Sequence, residues 1–82
     1  MSGGFFDYNQ HHISSIVEDL RVVVETNKYD LPTDIMEDCK NTIKVLEEAY
    51  HRVHCIDYLL SGDYGEQSYR DALKERLEKI RE

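Results

Sequence analysis

Three side chains near the end of a long predicted helix offer the most reactive chemistry in this sequence. His51, His54 and Cys55 are three and four positions apart, so their side chains share one face of a helix. Together with His11 or His12 from an earlier helix they could form a tetrahedral set of zinc ligands. The sequence lacks the paired cysteines or the His-Glu-x-x-His motif of recognisable zinc sites. Structural histidines and a buried thiol are therefore the favoured interpretation.

Asp57 is unusual because it occupies a position where the apolar pattern of its helix requires an apolar residue. A charge there costs on the order of a few kcal/mol if it is desolvated without a partner. The carboxylate could anchor a ligand, or form a small metal-binding or hydrolytic site with His51 and His54. The favoured alternatives are structural: a pair with an arginine, hydrogen bonds from backbone N–H groups in the 61–65 turn, or a position near the frayed helix end.

Tyrosines surround the same turn and suggest a ligand pocket. The segment Ser-Gly-Asp-Tyr-Gly at 61–65 lacks the lysine and the spacing of a phosphate-binding loop. The free N–H groups at the start of the helix that follows could still hold an anionic, aromatic ligand such as a nucleotide. Tyrosines at helical spacing are more often core and rim residues. The predicted ligand-binding or partner-binding residues are Asp57, Tyr58, Asp63, Tyr64 and Tyr69, with no catalytic residue and no cofactor assigned.

The element that positions these residues is a long helix with a heptad pattern. Its first apolar column runs Met36, Cys39, Ile43, Leu46, Tyr50, Val53, Asp57 and Leu60, at alternating steps of three and four. A second column, Ile35, Thr42, Ala49 and Ile56, widens the apolar stripe beyond that of a simple coiled coil. The pattern predicts that this helix packs on two sides and that the protein forms homo-oligomers.

The turn and capping residues in the rest of the chain predict a single all-α domain over residues 1–82. We expect a three-helix hairpin or bundle around the long central helix. Asp7 and Gln10 have the spacing of a capping box, and Gly62 that of a residue just past a helix end. We therefore expect a flexible lead over 1–7 and helices at about 8–27, 34–61 and 64–81.

The composition of the chain argues against some classes of binding partner. The 82 residues carry a formal charge of −7, which argues against direct binding to nucleic acid or to anionic membranes. Mimicry of nucleic acid by the acidic surface stays open as an alternative. The sequence has no apolar run of about 20 residues, and residues 1–4 lack the basic and apolar regions typical of a signal peptide. Cys39 and Cys55 would lie roughly 24 Å apart along one helix, so we expect reduced thiols and a cytoplasmic protein.

Two segments carry a resemblance to a known group. Residues 1–10, Met-Ser-Gly-Gly-Phe-Phe-Asp-Tyr-Asn-Gln, and residues 56–69, Ile-Asp-Tyr-Leu-Leu-Ser-Gly-Asp-Tyr-Gly-Glu-Gln-Ser-Tyr, resemble small uncharacterised proteins of phages and prophages. Those open Met-Ser-Gly-Gly-x-Phe-Asp-Tyr and later carry Arg-Ile-Asp-Trp-Leu-x-Ser-Gly-Asp-x-Gly-Glu-x-Ser-Phe. This chain departs from the pattern at three positions, with Cys55 for arginine, Tyr58 for tryptophan and Tyr69 for phenylalanine.

The resemblance implies a phage context, in which small acidic proteins act by binding. We therefore expect a noncatalytic accessory protein for host takeover or anti-defence, working in the host cytoplasm. Its partner would be a host protein, or a small signalling nucleotide that it sequesters within a homo-oligomer. The alternatives from other classes are the acidic nucleic-acid mimic and the metal-binding or hydrolytic protein that uses His51, His54 and Asp57.

Overall fold

The computed structural model describes residues 4–81, and within that range it contains three α-helices and no strand. Helix α1 spans His11–Thr26, α2 spans Thr33–Leu60 and α3 spans Glu66–Arg81. The long central helix reflects an unbroken run of helical apolar spacing between Pro32 and Gly62. The predicted all-α architecture with a long central helix is confirmed.

Helices α1 and α3 both pack against α2 and not against each other. Gln10 at the start of α1 reaches Asp57, and Arg21 further along α1 reaches Glu47, so α1 runs antiparallel to α2. No Cα atom of α1 lies within 8 Å of one in α3 in the described part of the chain. The molecule is consequently flat, with principal extents of 46 × 26 × 13 Å, and its smallest dimension is close to the diameter of one helix.

The core is small because a flat arrangement of three helices encloses little volume. The buried hydrophobic side chains among the described residues are Val17, Ile43, Cys55 and Leu77. Both cysteines are free, and burial raises the pKa of the Cys55 thiol, which keeps it protonated and unreactive. Few apolar contacts therefore support the fold, and each buried side chain matters more than in a larger domain.

The observed helix ends differ from the predicted ones by at most three residues. The largest difference is at the start of α1, where the capping-box prediction is wrong. Asp7 and Tyr8 have φ values of 57° and 62°, a left-handed conformation that cannot continue a helix. Gln10 turns its side chain towards α2 rather than back to Asp7. The end of α2 follows the prediction more closely, because Gly62 adopts φ 85° there, a conformation that glycine tolerates best.

The segment before α1 is docked onto the end of α2. Residues 5–10 form consecutive turns, and the Ser61 hydroxyl accepts hydrogen bonds from the backbone N–H groups of Gly4 and Phe5, at 3.1 and 3.0 Å. A flexible lead is predicted over 1–7, and the structure places residues 4–6 of it against the end of α2. Residues 1–3 of that lead lie outside the described residues.

Candidate functional site

Asp57 organises the contact between the N-terminal segment and α2. Its side chain is fully buried, and it accepts hydrogen bonds from the backbone N–H of Phe6 and from Nε2 of Gln10, each at 3.1 Å. The donors come from the N-terminal segment and not from the 61–65 turn or an arginine. Asp57 therefore forms structural hydrogen bonds, but its two partners are not those that the sequence suggested. They lie 47 and 51 positions away in the chain.

Gln10 is the second buried polar residue of this contact, with 4% of its surface exposed. Its Nε2 donates to Asp57, whereas its Oε1 is buried and has no hydrogen-bond partner among the described residues. The capping-box spacing predicts a helix-capping role for Gln10 and does not indicate this contact with Asp57. The only available signal was the resemblance of the N-terminal residues, which does not indicate a contact with Asp57.

A continuous row of aromatic and histidine rings runs along the same side of α2. His54 lies 4.6 Å from Tyr58 between ring centroids, and Tyr58 lies 5.1 Å from Tyr64 in the turn before α3. Towards α1, Tyr50 contacts His54 at 6.2 Å and His11 at 6.2 Å. The predicted pair Tyr58 and Tyr64 is thus brought together, because the turn folds Tyr64 back over the last turns of α2.

Arg76 of α3 reaches His51 of α2 across this side of the molecule. Its NH1 lies 2.8 Å from Nδ1 of His51, and because a guanidinium can only donate, Nδ1 must be the acceptor. The imidazole is therefore neutral, with its proton on Nε2. Burial lowers the pKa of His51, and the Arg76 charge lowers it further, although Glu47 opposes these effects.

His54 lies in the same electrostatic environment. Its pKa is lowered mainly by burial and then by Arg76, while the Asp57 carboxylate acts in the opposite direction. Its Nδ1 is buried without a hydrogen-bond partner among the described residues. Both central histidines are therefore biased towards the neutral form, mainly by burial and further by the charge of Arg76.

Arg76 and His51 line an open groove between α2 and α3, with a volume of about 570 Å³. The groove combines charged, aromatic and apolar side chains: Glu47, His51, Tyr64, Ala72, Glu75, Arg76, Lys79 and Ile80. Its two carboxylates already have partners, since Glu47 pairs with Arg21 at 2.6 Å and Glu75 with Lys79 at 3.7 Å. A groove of this composition can accept an anionic group and a flat ring.

The five predicted binding residues do not form one site. Asp57 is enclosed, and Tyr58 and Tyr64 lie together beside the groove. Asp63 is exposed in the turn, where its backbone N–H donates to the Tyr58 carbonyl at 2.9 Å. Tyr69 lines a different groove, with Arg52, Arg70, Leu73, Lys74, Leu77 and Glu78. Arg76, which no sequence pattern indicates, lines the groove together with Tyr64.

The weak metal candidates are not assembled into a site. No group of three or more histidine, cysteine, aspartate or glutamate side chains is placed to hold a metal ion within residues 4–81. His51 uses Nδ1 to accept from Arg76, and Asp57 is occupied by Phe6 and Gln10. A cation beside His51 also opposes binding of a second positive charge.

None of the helices described here combines the length and the apolar character needed to cross a lipid bilayer. No family model, curated protein or solved structure matches this chain.

Proposed function

We propose that this chain is a noncatalytic binding protein whose groove between α2 and α3 holds a small anionic ligand with an aromatic ring, such as a signalling nucleotide. The proposal rests on the contacts that the Arg76 side chain makes. Its guanidinium contacts a neutral histidine, and no carboxylate lies within 4.0 Å of it among the described residues.

Arg76 is exceptional in a chain with a net charge of −7. Arg21, Arg52 and Arg70 each form an ion pair with a glutamate. Among the arginines with described side chains, only Arg76 forms no ion pair with a carboxylate. A guanidinium has five donors in a planar fork that suits carboxylate or phosphate oxygens, so the donors that His51 does not use can bind an anion.

The tyrosines supply the second half of the proposed recognition. Tyr64 lines the groove and lies 5.1 Å from Tyr58. A flat ring can stack on an exposed aromatic face, and binding sites commonly combine such apolar surfaces with a few polar groups. A nucleotide carries both an aromatic base and a phosphate, which fits the groove better than a simple anion does.

The resemblance of residues 1–10 and 56–69 to small phage proteins suggests the biological role of this binding. A phage accessory protein in the host cytoplasm that retains a host signalling nucleotide would need binding and no chemistry. In agreement with this role, His51 and Asp57, the groups best suited to acid–base catalysis, are engaged in structural hydrogen bonds.

Isothermal titration calorimetry of the purified chain against mononucleotides and cyclic dinucleotides tests the proposal. We expect at least one nucleotide to bind, and Arg76→Gln to weaken that binding by roughly tenfold or more, the usual effect of losing a charge-assisted hydrogen bond. Arg70→Gln is the matched control, because Arg70 lies on the same helix but pairs with Glu66 outside the groove. Absence of binding across the panel, or equal effects of the two variants, would overturn the proposal.

A further inference from the structure

The side of α2 that faces away from α3 carries an apolar surface that α1 and the N-terminal segment cover only in part. One column recurs every seven residues: Ile35, Thr42, Ala49 and Ile56. A second column lies four residues after each member of the first: Cys39, Leu46, Val53 and Leu60. We call the eight residues the outer seam. They alternate at steps of four and three, the spacing by which two α-helices pack together over several heptads.

Burial shows that the outer seam is incompletely covered. None of its members is buried, although they lie on the central helix of the molecule. Ile35 and Leu60, at its two ends, are 42% and 50% exposed. None is charged, in a chain where 33% of the residues are. Val45, beside the seam, is 67% exposed, which extends the apolar surface.

The position of the seam follows from helix geometry. Tyr50 and Asp57 mark the side of α2 that faces α1, and His51 marks the side that faces α3. At 3.6 residues per turn, the column through Ala49 and Ile56 lies about 100° from Tyr50, on the side opposite to His51. The outer seam is therefore distinct from the proposed ligand groove.

We infer that the outer seam is the interface of a homodimer, in which the α2 helices of two copies pack antiparallel. The whole molecule measures 46 × 26 Å across its flat side, so an interface centred on the seam and extending onto the flanking surfaces of α1 and α3 has room for the roughly 800 Å² per partner of a stable interface. A second copy also provides what this small core lacks, namely a further layer of apolar burial. An identical seam on each copy is self-complementary, as a two-fold interface requires.

The charged residues of α2 determine whether the two α2 helices pack parallel or antiparallel. The first turns of α2 carry Asp34, Glu37 and Asp38, so a parallel dimer would bring six carboxylates together. An antiparallel dimer separates these groups and places Asp38 of each copy near Arg52 of the other. Arg52 binds Glu48 of its own chain through Nε, and its terminal nitrogens can donate to a second carboxylate. Asp38 forms no ion pair among the described residues, and it lies fourteen positions, or two heptads, before Arg52 on the same flank of the seam.

The molar mass of the full chain in solution tests the interface. We expect sedimentation equilibrium at about 100 µM to give twice the 9.7 kDa of one chain. Ala49→Glu at the centre of the seam should give the monomer mass with unchanged helicity by circular dichroism. Val22→Glu, which alters an exposed apolar residue of α1, should remain dimeric. A monomeric native chain would overturn the proposal and leave the seam to a partner of another sequence, and a dimer insensitive to Ala49→Glu would overturn it as well.

A charge exchange tests the direction independently. Asp38→Arg and Arg52→Asp should each weaken dimerisation several-fold, and the double variant should recover most of the loss, because each cross-copy pair is restored with reversed signs. Additive losses in the double variant would overturn the antiparallel arrangement.

Discussion

At the scale of single residues, Asp57 illustrates how a buried charge is kept in a small fold. The side chain accepts one backbone and one amide hydrogen bond, and these replace part of the hydration that the carboxylate loses on burial. It therefore ties α2 to the segment before α1. The sequence marked Asp57 as anomalous through the heptad pattern, but its partners are too distant in the chain for any local pattern to reveal them.

Two substitutions at Asp57 should differ in their effect. Asp57→Ala leaves the Phe6 N–H and the Gln10 amide without their acceptor, and we expect it to lower the free energy of unfolding by about 2–4 kcal/mol. Asp57→Asn should cost about 1 kcal/mol, because the new amide can accept from Phe6 and donate to the unpartnered Oε1 of a rotated Gln10. Urea denaturation measures both, and equal losses would show that the charge itself is required.

The two central histidines predict a pH dependence of stability. Burial and Arg76 lower the pKa of His51 and His54 below the 6.5 of a free histidine. The unfolded state then binds more protons as the pH falls through 6.5, so stability is fully present above that value and decreases below it. We expect the melting temperature to fall by a few degrees between about pH 7.5 and about pH 5.5.

His51→Gln should reduce this dependence, since glutamine can accept from Arg76 without titrating. His12→Gln, at an exposed position on α1, is the matched control and should behave like the native chain. The same pH dependence in the His51 variant and the native chain would assign the effect to other groups.

At the scale of helices, the central helix and its neighbours follow from apolar spacing and from the Pro32 and Gly62 boundaries. The sequence could not predict how the segment before α1 folds. The left-handed residues Asp7 and Tyr8 interrupt the helical pattern for a reason that lies in α2, where Ser61 and Asp57 provide the acceptors. The role of Arg76 could not be predicted for the same reason, because its partner His51 lies 25 positions earlier on another helix.

Ser61→Ala should loosen the N-terminal segment while leaving the three helices intact. Gly4 and Phe5 both donate to the Ser61 hydroxyl, and they would have only solvent as a replacement acceptor. We expect a loss of about 1 kcal/mol and faster amide hydrogen exchange confined to residues 4–6. Faster exchange throughout α2 would show instead that Ser61 supports the helix itself.

At the scale of the whole molecule, the flat shape leaves two different faces. One face has the histidines, tyrosines and Arg76 of the proposed ligand groove, and the other has the outer seam. The sequence predicted a widened apolar stripe and self-association, but it could not say which column of the stripe α1 would cover. The structure buries Ile43 and Asp57 in one column, whereas Ala49 and Ile56 in the other column remain partly exposed.

Association through the open seam should make thermal stability depend on protein concentration. Binding between folded copies stabilises them by mass action, so the melting temperature of the native chain should rise between about 5 µM and about 200 µM. Ala49→Glu should melt at the same temperature at both concentrations. Scanning calorimetry measures the difference, and a native melting temperature independent of concentration would contradict self-association.

The hydrogen bonds of the N-terminal segment also set an order for folding during synthesis. The donors at Gly4 and Phe6 leave the ribosome first, yet their acceptors Ser61 and Asp57 follow 51 to 57 residues later. Helices α1 and α2 can pair progressively as α2 emerges, whereas the first turns must wait until most of the chain has been made. Residues 4–6 are thus translated well before they can reach their final positions, and nascent-chain crosslinking between this segment and the end of α2 would register that late step.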